Sequence, residues 1–289
     1  GGTIIPVPPT LTRAAALDYN YDFLMDIVLA GPGGLRLYRQ TGNEYTDVTT
    51  SLNLPSGVAD RSYTGVWPAD LDMEGDIDVL LGTRSGAPLA LRNNGDGTFT
   101  PIQPFTGVEG THDFVWADLD ADGDPDAALI DASGSLRVFS NERNGLFTPR
   151  SVPQEHQASQ GLTAADIDSD GIIDLITVGT DGSIYRLTSN LEGSAWTTVQ
   201  IARVEDGTGE IIRLIPADLD NNGSLDLIVS SSGGTQIFLS STEDQLQPLS
   251  TTIPALIYDT ADLDEDGMLD LIGLSPEGRM VQLLGQGTK

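Results

Sequence analysis

The feature that most constrains this chain is a nine-residue acidic motif that recurs six times at nearly even spacing. The copies begin at Asp18, Asp70, Asp118, Asp166, Asp218 and Asp262 and read DYNYDFLMD, DLDMEGDID, DLDADGDPD, DIDSDGIID, DLDNNGSLD and DLDEDGMLD. Successive starts lie 52, 48, 48, 52 and 44 residues apart. A period of that size is one four-stranded blade of a β-propeller. A solenoid of helix pairs would need amphipathic helical stripes, and the hydrophobic pattern contains none.

Each copy sits in the same local pattern. A short apolar strand such as 113–117 precedes it, and an apolar run such as 127–130 or 227–229 follows. Next comes a glycine turn, at Gly33-Gly34, Ser85-Gly86, Ser133-Gly134, Asp181-Gly182, Gly233-Gly234 and Glu277-Gly278, where a positive φ is expected. A third strand alternates as a half-buried strand does, for example 35–38 or 136–139. A second turn and an outer strand, as at 98–101, complete four strands.

The ends of the chain set the blade count. Only two strands, 271–274 and 280–284, follow Asp270, so the sixth blade lacks its outer strand. The segment Gly2-Thr3-Ile4-Ile5-Pro6-Val7-Pro8 resembles Gly97-Thr98-Phe99-Thr100-Pro101-Ile102-Gln103, an outer strand. The expected fold is therefore all-β: one domain over 1–289, a six-bladed propeller with four-stranded blades, its ring closed by the N-terminal strand so that no sheet edge is left open.

Positions one, three, five and nine of each copy carry oxygen ligands. They are Asp18, Asn20, Asp22 and Asp26; Asp70, Asp72, Glu74 and Asp78; Asp118, Asp120, Asp122 and Asp126. The remaining three copies supply Asp166, Asp168, Asp170 and Asp174; Asp218, Asp220, Asn222 and Asp226; Asp262, Asp264, Asp266 and Asp270. These positions hold 22 of the 43 carboxylates in a chain whose formal charge is −29, so the acidity is gathered into loops and not spread as a solvated face. Alternate residues of a curled loop can aim oxygens at one centre, and glycine at position six permits the bend. Hard oxygen donors without His or Cys select calcium over zinc or copper, and the loop's flexibility suits calcium better than magnesium. An EF-hand would need a bidentate Glu at position twelve, where Leu81, Leu129, Thr177 and Gly273 stand. Dockerin-like loops fail for the same reason.

Loop, period and strand pattern together resemble the FG-GAP or VCBS repeat family, which includes the integrin α-subunit propeller; the resemblance covers essentially the whole chain. It implies that each calcium loop joins the two innermost strands of a blade. Up to six calcium ions are expected, the first loop being the exception, because Phe23 replaces the glycine and Asn20 replaces a carboxylate, compromising both bend and charge.

The remaining chemistry is sparse. His112 and His156 are the only histidines and fall in connections between blades. Trp67 and Trp116 lie on first strands and are expected to pack between blades, with Trp196 on an outer strand and more exposed. Neither a Ser-His-Asp arrangement nor a phosphate-binding glycine loop is visible. The acidic charge disfavours nucleic acid, and no apolar run is long enough to span a membrane as a helix. The reading is a non-catalytic, calcium-stabilised monomer that binds a protein or glycan in a calcium-rich extracellular, cell-surface or periplasmic setting. The alternative is a polysaccharide-lyase-like carbohydrate-active enzyme, or an accessory domain of one.

Overall fold

The computed structural model describes residues 12–153, 158–190, 195–205, 209–240 and 245–285. The expected outer strand at residues 3–8, and with it the closure of the ring, lies outside those residues, as does His156. Among the described residues the structure is all-β apart from one 3-10 turn, Thr49–Leu52.

Every repeat forms one antiparallel sheet whose strands hydrogen-bond in chain order. Four-stranded sheets span 13–47, 65–102, 113–150, 159–203 and 211–248, and a three-stranded sheet spans 256–283. The architecture is that of a six-bladed β-propeller. Blade two shows how the sequence makes one. Its first strand, Gly65–Ala69, runs into the acidic loop, and the second, Asp78–Gly82, returns beside it with Ala69 opposite Asp78. The third and fourth, Leu89–Asn93 and Phe99–Ile102, complete the meander. The second strand is buried along its whole length, which explains why it reads as a continuous apolar run and does not alternate.

The six glycine turns between second and third strands are as expected: Gly34, Gly86, Gly134, Gly182, Gly234 and Gly278 have φ of 99°, 72°, 82°, 85°, 123° and 72°. A side chain there would have to adopt the left-handed conformation that L-residues avoid.

Packing groups the described residues into two compact units, one within 12–116 and 124–150, the other within 117–123 and 151–285. In the first, blades one and two bury a cluster that includes Val28, Leu37, Tyr63, Leu81 and Phe99. Blades two and three bury a second around Trp67, Leu80, Phe105, Phe114 and Leu129. Phe105 is its hub, with ring centroids 5.1 Å from Phe139 and 4.9 Å from Phe147. In the second unit, Ile176, Val178, Leu227 and Phe238 join blades four and five, and Ile228, Ile257 and Leu271 join blades five and six. Trp67 and Trp116 belong to this inter-blade packing, as expected; Trp196 is half-buried and donates its indole N–H to the Ser151 carbonyl at 2.7 Å.

Candidate metal centres

Each acidic loop is the connection between the first and second strands of its blade, and its own hydrogen bonds shape it. The position-one carboxylate accepts the backbone N–H of position six in all six loops, at 2.8 Å from Phe23, 2.9 Å from Gly75, 3.1 Å from Gly123, 3.0 Å from Gly171, 2.9 Å from Gly223 and 3.0 Å from Gly267. At position five, Asp22, Asp170, Asn222 and Asp266 each accept the N–H two residues on, between 2.7 and 3.0 Å. The chain thereby curls around a centre towards which the remaining oxygens can point.

Two residues per loop are left-handed. Position six was legible from its glycine, with φ of 87° to 95° across Gly75, Gly123, Gly171, Gly223 and Gly267. Position four was not. Tyr21, Met73, Ala121, Ser169, Asn221 and Glu265 all have φ between 57° and 61°, although only the asparagine is a residue type that favours it. One expectation is corrected: the first loop keeps its bend. Phe23 takes φ 64° and donates its N–H to Asp18 as the glycines do, leaving its ring almost wholly exposed.

The position-nine aspartates do more than the motif suggested. All six begin a second strand and are buried, at 2 % exposure or less. In five of them one oxygen accepts the N–H of position two, from Tyr19, Leu71, Ile167, Leu219 and Leu263 at 2.8 to 3.4 Å. In all six the other accepts a donor at or just past the end of the third strand: the N–H of Gln40, Asn93, Asn141, Ser240 and Gly285 at 2.7 to 3.0 Å, or the Thr188 hydroxyl. Each of the five that make both contacts is a staple tying loop to blade. Burial pushes Asp78 up to about 7 and Asp174 up to about 6, and raises Asp26 and Asp226, in spite of the backbone donors that oppose it.

Five loops bring three carboxylates within 4.8 Å of one another. The groups are Asp70, Asp72 and Asp78; Asp118, Asp120 and Asp122; Asp166, Asp168 and Asp174; Asp218, Asp220 and Asp226; and Asp262, Asp264 and Asp270. Glu74, Asp170 and Asp266 stay outside these groups, and Asp126 pairs with buried Arg150 at 3.0 Å. Loop one forms no such group among the described residues. There Asn20 donates to Asp22 at 3.0 Å and Arg39 at 3.1 Å. Desolvation raises the Asp22 carboxyl, but those donors outweigh it and hold the group below its ordinary value.

The donor set fits a hard divalent cation. The position-one oxygens Asp70 Oδ1 and Asp118 Oδ1, and Asp168 Oδ1 in loop four, are buried without a hydrogen-bond partner. Such an oxygen is costly in a packed fold unless something positive faces it. Arg186 meets the other oxygen of Asp168, so loop four is partly neutralised from within. Beside that ion pair, a cleft of about 60 Å³ between blades four and five is lined by Ser169, Ser224, Ser240 and Gln245 and by the apolar side chains of Ile167, Ile201 and Leu246.

The model of the FG-GAP-like repeat matches residues 18–81, 70–129, 118–177, 166–229 and 218–273, each match running from one acidic loop into the next blade. The chain belongs to the FG-GAP-like repeat family. No curated protein matches it. Among solved structures, this FG-GAP-like chain is similar to a lectin of Agrocybe aegerita described as recognising non-reducing terminal N-acetylglucosamine. They share 19 % identity and a TM-score of 0.67 over 96 % of this chain and 78 % of that one. It is also similar to BBS1N, solved in complex with ARL6DN, at 14 % identity and TM-score 0.56 over 95 % and 78 % of the two chains. The exotype rhamnogalacturonan lyase YesX shares 15 % identity and TM-score 0.53, over 97 % of this chain but 56 % of the lyase. At these identities the likeness is one of fold.

Proposed function

We propose that the protein is a non-catalytic binding module whose blades are stiffened by calcium in loops two to six, and that it works where calcium is plentiful, outside the cytosol. Buried, unpartnered carboxylate oxygens at Asp70, Asp118 and Asp168 carry the metal part of this reading. A bound calcium ion supplies positive charge to oxygens that repel one another in its absence. The carboxylates of positions one and three would hold it, joined by the stapled position nine in loops two, four, five and six and by Asp122 of position five in loop three. Magnesium, which demands a tighter octahedron and sheds water reluctantly, fits such loops less well.

The ligand part rests on the cleft between blades four and five. Hydroxyl, amide, carboxylate and guanidinium groups line it beside Ile167, Ile201 and Leu246, offering donors, acceptors and an apolar wall at close range. That mixture suits a hydroxyl-rich ligand such as a glycan terminus, with a protein surface as the other class. The similarity to a lectin supports the same direction without deciding it. The test is a glycan array probed with the calcium-loaded protein, repeated with Arg186→Ala and with pectic substrates assayed for turnover. Selective binding lost in the variant is the expected result. Turnover of any polysaccharide would overturn the non-catalytic reading, and binding unaffected by Arg186→Ala would remove the cleft from it.

A further inference from the structure

The left-handed fourth position matters beyond its own loop. Two of the side chains there reach the next loop along the chain. Tyr21 donates its hydroxyl to the Gly75 carbonyl at 2.7 Å, and the same oxygen accepts the Ile77 N–H at 3.1 Å. The phenol thus brackets the bend of loop two on both sides of Asp76. Asn221 Nδ2 donates to the Gly267 carbonyl at 2.7 Å in loop six. In both cases the acceptor is the position-six carbonyl, on the residue whose N–H anchors the position-one carboxylate. Met73 and Ala121, at the same position of loops two and three, have no donor to offer.

Loop two is also held from its other side, where the Asn144 N–H donates to the Asp72 carbonyl at 3.1 Å. In loop one, the origin of the Tyr21 contact, Asn20 and Arg39 both donate to Asp22.

We propose that Tyr21 and Asn221 are positioning residues for the ion sites of the loops that follow them, loops two and six, acting from the fourth position of the preceding loop. The inference rests on the reading that these loops bind calcium. Its physical basis is pre-organisation: a position-six peptide already fixed by an outside donor leaves less chain to be ordered when the carboxylates close on an ion. Loop one then serves as a strut for loop two in place of holding an ion itself.

Calcium titration of the full chain by calorimetry tests this, using wild type, Tyr21→Phe, Asp70→Asn and the double variant. Removing the hydroxyl, and with it both hydrogen bonds, should weaken a single site by about two- to tenfold. The other sites and the calcium-free melting temperature should change little, because the half-exposed ring is kept. In the Asp70→Asn background, Tyr21→Phe should have no further effect on calcium binding. Unchanged affinities in Tyr21→Phe, or the same loss in the Asp70→Asn background, would overturn the positioning role. A wild type that takes up no calcium fails the underlying reading by a separate signature and takes the positioning role with it. Asn221→Gly, which keeps the left-handed backbone, provides the parallel test at loop six.

Discussion

Two kinds of aspartate in these loops, at positions nine and three, separate cleanly at the scale of the residue. Asp78 satisfies the Leu71 and Asn93 N–H groups at 2.9 and 2.8 Å, so Asp78→Ala leaves two buried donors unpaired, each costing about 1–3 kcal/mol. The calcium-free protein should therefore lose stability in denaturant titration. Asp264 is different, because desolvation and its neighbours Asp266, Asp270 and Asp262 all raise it, which means the metal-free loop is better off with less charge there. Asp264→Asn should leave the calcium-free protein as stable or more so while reducing its stabilisation by calcium. Acidity adds a further prediction. The raised Asp78 and Asp174 favour the folded state while protonated, so their contribution is complete below the ordinary carboxylate range and disappears as pH rises through about 6 to 7. Metal-free stability should decline across that window, and the stabilisation by calcium should grow across it. Melts of metal-stripped protein between pH 5 and 7.5, with and without calcium, check both; a flat metal-free profile would show that the buried aspartates do not titrate there.

In the blade and its loop, the element that repeats, periodicity carried most of the fold. Strand order, the turn glycines and the placement of the acidic loops all follow from a spacing that only a blade satisfies. What stayed hidden was conformation without a residue-type signature. Position four is left-handed in Met73, Ala121 and Glu265 as much as in Asn221, because the loop's hydrogen bonds impose it against local preference. The staple role of position nine was masked in the same way, since a ligand aspartate and a stapling aspartate are the same letter; its one clue was that it opens an apolar strand. Phe23 shows the limit of reading a missing glycine as a missing bend, for the Asp18 carboxylate holds the turn regardless. A left-handed conformation costs a non-glycine residue about 1–2 kcal/mol, and the ring is 94 % exposed with little packing to lose. Phe23→Gly should thus raise the melting temperature, offset in part by the entropy of glycine in the unfolded chain. A fall would mean that the exposed ring makes contacts worth more than the strain.

For the whole molecule, the proposed calcium sites would make the ion a folding ligand. Each hydrophobic cluster joins neighbouring blades, so the sheets support one another only as far as their loop ends stay in place. Carboxylates about 4 Å apart repel by roughly 4 kcal/mol per pair at an effective dielectric of about 20, before relaxation and screening. Five such groups in a chain of formal charge −29 work against the fold at neutral pH until a cation faces them. A site with a dissociation constant of about 10⁻⁵ M gains roughly 2.7 kcal/mol in about 1 mM calcium. Even with imperfect additivity, several sites are comparable with the ~5–15 kcal/mol that holds an ordinary domain together. Chelator should therefore lower the melting temperature steeply at neutral pH, calcium should restore it, and equimolar magnesium should not. Ion counting by calorimetry or anomalous scattering should find calcium in loops two to six and none in loop one, where Arg39 supplies the positive charge. Replacing that arginine by alanine should allow Asp18, Asp22 and Asp26 to compete for a sixth ion, at low affinity because Asn20 contributes no charge. Identical melts with chelator, calcium and magnesium would mean that the loops are turns and nothing more; a sixth ion in the wild type would mean that Arg39 yields to calcium and does not replace it.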